Sequence, residues 1–188
     1  LVRFGKWQEI IDFPLPNDSK LYCVSTVMCH YARCVAYSAL GQIEAATKEQ
    51  DLFREARTQV PESRLFFNNN ADDILAIADA MMVGEIEYRK ENYETAFNHL
   101  ETAVRLDDNL YYTEPWAWMH PPRHALGALL LEQGHVEKAE QVYRADLGID
   151  EILARPLQHP NNVWSLHGYL ECLERTNQLN KAKEIQRS

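Results

Sequence analysis

The sequence lacks a long apolar run: none approaches the ~18–20 residues that a membrane-spanning helix needs. The segment ILAIADAMMV at residues 74–83 is among the longest apolar stretches, and it already contains an aspartate. The basic, apolar and small-residue regions of a signal peptide are not visible after Leu1. We therefore expect a cytoplasmic protein that does not span a membrane.

Positive charge is also scarce. The chain of 188 residues has 19 lysines and arginines against 28 aspartates and glutamates, which gives a formal net charge of −9 and a pI near 5.2. Because nucleic-acid binding depends on clustered basic side chains, this balance argues against a nucleic-acid partner. A partner with basic or mixed charge fits better.

No regular cysteine framework or catalytic motif is present. The four cysteines form no C-x-x-C pair, and without a secretory signal we expect them to be reduced and mostly buried. A Gly-rich phosphate loop, a G-x-S-x-G elbow, an H-E-x-x-H pair and zinc-finger spacing are all missing from the sequence. We therefore expect no cofactor and no catalysis.

What the sequence does contain is a recurring pattern, seen most clearly in VGEIEYRKENYETAFNHLETAVRLDD at residues 83–108. There Gly84 is followed by Tyr93 nine residues on, by Ala96 twelve on and by Leu100 sixteen on. The same offsets recur from Gly127, and less completely from Cys34 and Leu170. Apolar residues at helical spacing on either side of a break predict a helical hairpin in each case.

The physical reading of this pattern is a close pair of helices joined by a tight turn. A small residue in the first helix lets the second helix approach, and a residue of left-handed conformation ends the first helix. The residues that fall near the predicted turns are Gly41, Asn92, Gly134 and Asn177. Because one hairpin cannot bury its apolar stripe alone, several are expected to stack into a continuous core.

These offsets resemble those of the tetratricopeptide repeat, a helix–turn–helix unit of about 34 residues. The units are, in chain order, a partial repeat and connector at residues 1–26, repeats at 27–60, 77–110 and 120–153, and a partial terminal repeat at 163–188. The second and third full repeats match most closely, although Asp146 replaces a small residue near the end of the third. The resemblance implies a single all-α array, a right-handed α-α superhelix or solenoid of stacked antiparallel helix hairpins. The chain looks like a fragment of a longer tetratricopeptide protein of the kind found in bacteria and fungi.

In this family the first helices of the hairpins line a concave groove that binds peptides. Carried over by position, the peptide-binding residues are Tyr31, Met81, Glu85, Tyr88, Arg89, His124, His167 and Glu171. This set is apolar and acidic, without a run of lysine and arginine, and it favours a peptide with basic or aromatic side chains. We therefore predict a protein-interaction scaffold that holds a protein or peptide segment in its groove.

Three tryptophans are candidate anchors for such a partner, because exposed tryptophans often dominate the energy of an interface. Trp116 and Trp118 lie in the connection between two repeats, and Trp164 lies near the start of the last one. An alternative interpretation is that the two rings of the connection pack an inserted loop onto the helices.

The alternative function is a metal-dependent or small-molecule-binding enzyme that uses the groove histidines. His124 and His167 occupy equivalent places in adjacent repeats, and Glu171 follows one helical turn after His167. Two imidazoles and a carboxylate would suit zinc, iron or copper. Polar groove residues that contact a peptide or water explain the same pattern, and self-association through the ends of the array is compatible with either function.

Overall fold

The structure, a computed structural model, describes residues 1–186, so the last two residues of the predicted terminal repeat lie outside it. Within the described residues there are nine α-helices, two short 3-10 helices and one two-stranded hairpin. The expected all-α class is confirmed at this level. The chain divides into two compact units, a first unit that ends at His120 and a second unit that begins at Pro121.

The first unit contains two helical hairpins preceded by a short helix. Its helices are α1 Trp7–Asp12, α2 Cys23–Ala39, α3 Ile43–Arg57, α4 Ala71–Arg89 and α5 Tyr93–Asp108. Helices α2 and α3 pack as one hairpin, α4 and α5 pack as another, and α4 also contacts α2 and α3. A small antiparallel β-hairpin precedes α4, with β1 at Leu65–Phe66 and β2 at Asn69–Asn70.

The second unit repeats the same arrangement with shorter helices. These are α6 Pro122–Glu132, α7 Val136–Leu147, α8 Val163–Arg175 and α9 Leu179–Ile185. Helix α7 packs against both α6 and α8, and α9 packs against α8. None of the helices in residues 1–186 is both long enough and apolar enough to cross a membrane.

The four helical hairpins found in residues 1–186 share one turn geometry. Three residues separate the paired helices, and the middle one has a positive φ: Gly41 at 72°, Glu91 at 65°, Gly134 at 77° and Asn177 at 59°. The N–H of the next residue donates to the carbonyl five residues earlier, which satisfies the end of the first helix. The predicted left-handed residue is confirmed at three turns, at Gly41, Gly134 and Asn177. At the other turn Glu91, and not Asn92, adopts the left-handed conformation, while Asn92 donates its side-chain amide to Glu87 Oε2 at 2.7 Å.

Small residues lie where the paired helices approach, as the pattern predicts. Ala46, Ala96 and Ala139 in the second helices are completely buried. In the first helices, a Cβ atom built on Gly84 would lie 2.7 Å from Leu100 Cγ, and one on Gly127 would lie 2.5 Å from the Tyr143 ring. The bulky side chain sixteen residues on therefore occupies the space above each glycine.

This geometry predicts the effect of Gly84→Ala. A helical alanine is intrinsically about 1 kcal/mol better than glycine, but overpacking a close contact costs about 1–3 kcal/mol. Because the new Cβ meets the branched carbon of Leu100, the steric cost should dominate, and urea denaturation should show a loss of about 1–2 kcal/mol.

The matched control is the same change in a Leu100→Ala background, where the obstructing side chain is gone. There the substitution should become neutral or stabilising, since only the helix preference remains. An equal cost in both backgrounds would show that Leu100 is not what excludes a side chain at Gly84.

Candidate functional site

An open pocket of about 640 Å³ lies on the first helices of the two hairpins in the second unit. We call it the groove pocket; it is lined from α6 by His124, Ala128, Leu131 and Glu132, from α7 by Tyr143, and from α8 by Val163, Trp164, His167, Gly168, Glu171 and Arg175. It therefore brings together three of the predicted peptide-binding residues, His124, His167 and Glu171.

The floor of the groove pocket depends on two glycines around one tyrosine. Tyr143 of α7 is 3% exposed and packs over Gly127 of α6 and Gly168 of α8, each of which would collide with its ring if it carried a Cβ. Burial raises the pKa of the Tyr143 hydroxyl, which stays neutral. Sequence reasoning placed Leu170 at the small position of the last repeat and missed Gly168, although a glycine inside a helical pattern is a recognisable sign of close packing.

A buried carboxylate holds one wall of the pocket in place. Asp146 of α7 is fully buried, with His124 Nε2 at 3.0 Å from Oδ2 and His159 Nδ1 at 2.7 Å from Oδ1. Ser165 Oγ donates to Oδ2 at 2.5 Å. Since a carboxylate only accepts, both imidazoles present N–H groups to it.

The electrostatics of this cluster favour the ionised form of Asp146. Burial alone would raise the pKa of the carboxyl, but hydrogen bonds from His124 and His159, together with their charges, hold it well below its usual value. The cluster links α6, α7 and α8 with the connection that carries His159, whose backbone N–H also donates to the Asp146 carbonyl at 2.6 Å. Asp146, which departs from the repeat pattern, therefore connects these helices of the second unit through polar contacts.

The same contacts bear on the predicted metal ligands. His124 already directs Nε2 to Asp146, and Glu171 Oε1 accepts from the guanidinium of Arg175. Among residues 1–186, no group of three histidine, cysteine, aspartate or glutamate side chains is arranged to hold a metal ion. His124, His167 and Glu171 share a pocket, but their functional groups do not converge on one point.

The predicted groove residues of the first unit are placed differently. Tyr31, Met81 and Tyr88 are only 4%, 5% and 4% exposed, so they have little surface to offer a peptide. Tyr31 packs edge-on against Trp118 with ring centroids 5.2 Å apart. Glu85 and Arg89 are half-buried, and their closest charged atoms are 3.9 Å apart.

The three candidate tryptophan anchors differ in how far their side chains are exposed. Trp118 is only 3% exposed. This burial agrees with the alternative interpretation, in which the ring packs the connection onto the helices. Trp116 is 38% exposed, and Trp164 is 42% exposed at the groove pocket. Trp164 is therefore a partly exposed candidate anchor that lines the same pocket as His124, His167 and Glu171.

The cysteines offer no activated thiol among the described residues. Cys23, Cys34 and Cys172 are buried, Cys29 is partly buried, and all four are free. Burial raises the pKa of Cys34 to about 12 and that of Cys172 to about 12, so neither is a thiolate at neutral pH.

Comparison of the chain with protein-family models, with curated proteins and with solved structures finds no match. The resemblance to the tetratricopeptide repeat accordingly remains a prediction from the sequence pattern.

The Asp146 cluster predicts a large effect for Asp146→Asn. The amide keeps the shape of the side chain but loses its charge and places a donor where a donor already points. Because breaking a buried, paired charge typically costs about 3–5 kcal/mol, urea denaturation followed by circular dichroism should show a loss near 3 kcal/mol. Glu137→Gln, at an exposed carboxylate of the same helix, should change stability by less than about 0.5 kcal/mol.

The lowered pKa of Asp146 also sets a pH dependence. A carboxyl with a folded-state pKa below its unfolded value, about 3.9, stabilises the fold fully above that value and less as pH falls. The stability difference between the wild type and Asp146→Asn should therefore be complete at pH 5 and shrink between pH 4 and pH 2. A difference that grows on acidification would mean that the folded protein holds this carboxyl protonated.

Proposed function

We propose that this chain is a tetratricopeptide-like scaffold that binds a peptide segment of a partner protein in the groove pocket. The observation that carries the proposal is the position of this pocket, on the first helices of two consecutive hairpins. The shared turn geometry and the small residues at the helix crossings support the repeat assignment.

The lining of the groove pocket favours a particular peptide chemistry. Arg175 donates from one nitrogen to the Leu131 carbonyl at 3.0 Å and from another to Glu171, so its guanidinium is already engaged. Among the described residues that line the pocket there is no other arginine and no lysine, so a peptide carboxylate finds no uncommitted guanidinium or ammonium group there. Glu132 is exposed at its edge and Trp164 presents a ring, which together suit a lysine or arginine held by charge and by cation–π contact.

A rigid lining of the groove pocket would favour peptide binding. The Asp146 cluster fixes His124 in the wall, and the tyrosine between two glycines fixes the spacing of α6 and α8. A preformed site loses little conformational entropy when a ligand binds, so less of the free energy of binding a short peptide segment is offset.

The metal-dependent alternative receives less support from the same pocket. Two of its three proposed ligands, His124 and Glu171, engage other protein groups, and within residues 1–186 no set of three such side chains is arranged around one point. The scaffold therefore agrees better with these contacts than the metal-dependent enzyme does.

The proposal predicts binding of a fluorescent peptide, acetyl-KWKWK-amide, in preference to acetyl-EWEWE-amide, measured by fluorescence anisotropy. Trp164→Ala should weaken binding of the basic peptide about tenfold or more, as truncation of an aromatic anchor does. Glu132→Gln should weaken it less, and the loss should shrink at high salt because an exposed charge pair is screened.

His167→Ala tests the pocket itself, and His135→Ala is its matched control, because His135 lies in the α6–α7 turn outside the pocket. Only the first should alter affinity. Equal binding of both peptides, or binding that survives Trp164→Ala and His167→Ala with unchanged helicity, would reject the groove pocket as the binding site.

A further inference from the structure

A second pocket, in the first unit, is built from aromatic rings and thioethers. It has a volume of about 220 Å³ and is bounded by α2, α4, the β-hairpin and the segment before α6. Its principal lining residues are Met28, Tyr31, Phe66, Ile74, Trp118 and Met119. We propose that this aromatic pocket binds a single aromatic ring, a function independent of peptide binding in the groove pocket.

The volume limits what the aromatic pocket can hold. A dry cavity of about 150 Å³ accommodates a benzene-sized molecule, whereas sites for larger ligands span about 300–1,000 Å³. At about 220 Å³ the aromatic pocket suits one ring with a small substituent.

The lining chemistry selects an aromatic guest over an aliphatic one. Tyr31, Phe66 and Trp118 contribute three rings, and Tyr31 and Trp118 already stand edge to face at 5.2 Å. A guest ring can form further edge-to-face contacts with them. Met28 and Met119 add polarisable sulfur atoms, which pack favourably against ring edges.

The walls are fixed by hydrogen bonds that do not involve a guest. Asn69 of the β-hairpin is 2% exposed; its amide donates to the Tyr111 carbonyl at 2.9 Å and accepts from the Tyr111 N–H at 2.7 Å. Arg3 donates to the Met119 carbonyl at 3.2 Å. Because these bonds hold the hairpin and the segment before α6 in place, a guest would not have to order them.

The rim leaves apolar surface exposed that a guest would cover. Met119 is 63% exposed and Phe66 is 38% exposed, and both line the pocket. Large exposed apolar side chains gathered at a concave site are typical of a place where something binds.

The test uses p-cresol as the probe and methyl-13C methionine as the reporter, observed by NMR on the whole chain. The ring current of a bound p-cresol should shift the methyl signals of Met28 and Met119. Met81 and Met82 are not among the lining residues and serve as internal controls that should not move. The saturated analogue 4-methylcyclohexanol, of similar shape, should bind at least about threefold more weakly, since it lacks the edge-to-face contacts.

A substitution that fills the aromatic pocket tests the proposal by a second route. Ala117→Phe places a ring from the protein itself in the pocket and should abolish the shifts, while Ala154→Phe, at an exposed alanine of the second unit, should leave them intact. If Ala117→Phe does not fold, the relative affinities of the wild-type chain for p-cresol and for its saturated analogue still test whether the pocket prefers an aromatic ring. The proposal is overturned if p-cresol leaves Met28 and Met119 unshifted, if all four methyls shift alike, or if the saturated analogue binds equally well.

N-acetyltyrosinamide then distinguishes the source of the ring. Binding as tight as that of p-cresol means that a peptide backbone fits at the mouth and that the guest is a side chain of a partner. Binding of p-cresol without N-acetyltyrosinamide means that the guest is a free small molecule.

Discussion

The hairpins depend on how closely their two helices approach, because the distance between packed helices is set by the side chains at the contact. Glycine at Gly84 and Gly127 leaves room for a bulky side chain from the second helix, and the buried Ala96 and Ala139 keep the rest of the crossing narrow. The left-handed turn residue then returns the chain at the required angle. In the second unit the same constraint extends to the next hairpin, where Tyr143 also covers Gly168 and so fixes the floor of the groove pocket.

At one position of the predicted repeats the chain uses a buried charge in place of an apolar contact. The position where the pattern expects a small residue near the end of each unit is Phe53 in the first full repeat and Ala103 in the second, both completely buried, whereas it is Asp146 in the third. A buried carboxylate is costly unless it is fully hydrogen-bonded, and the sequence supplies two histidines and a serine to satisfy it. The result ties three helices and a connection to one side chain, at the expense of making that side chain indispensable.

The helices and turns were predictable because their signals are local. Offsets within about twenty residues specify each hairpin, and Pro122 begins α6 as a missing N–H at a helix start allows. The burial of Tyr31 was not predictable in this way. It depends partly on contacts between segments far apart in the sequence, such as the Tyr31–Trp118 pair and the Asn69–Tyr111 hydrogen bonds that hold the insertions. The Asp146 cluster was also missed, because its residues lie in three helices and a connection and no periodic offset in the sequence relates them.

The two units therefore use equivalent helix positions for different purposes. Tyr31 and His124 occupy the same place in the predicted repeats, yet Tyr31 is covered by Trp118 from an insertion, whereas His124 lines an open pocket. A repeat position is only as accessible as the connections around it allow. In the first unit an insertion and the first helices of the hairpins together bound a pocket of about 220 Å³; in the second unit the first helices line an open pocket of about 640 Å³. The connections between hairpins thus determine which helix positions are exposed as much as the hairpins themselves do, which is why the sequence pattern identifies the hairpins but not their accessible surface.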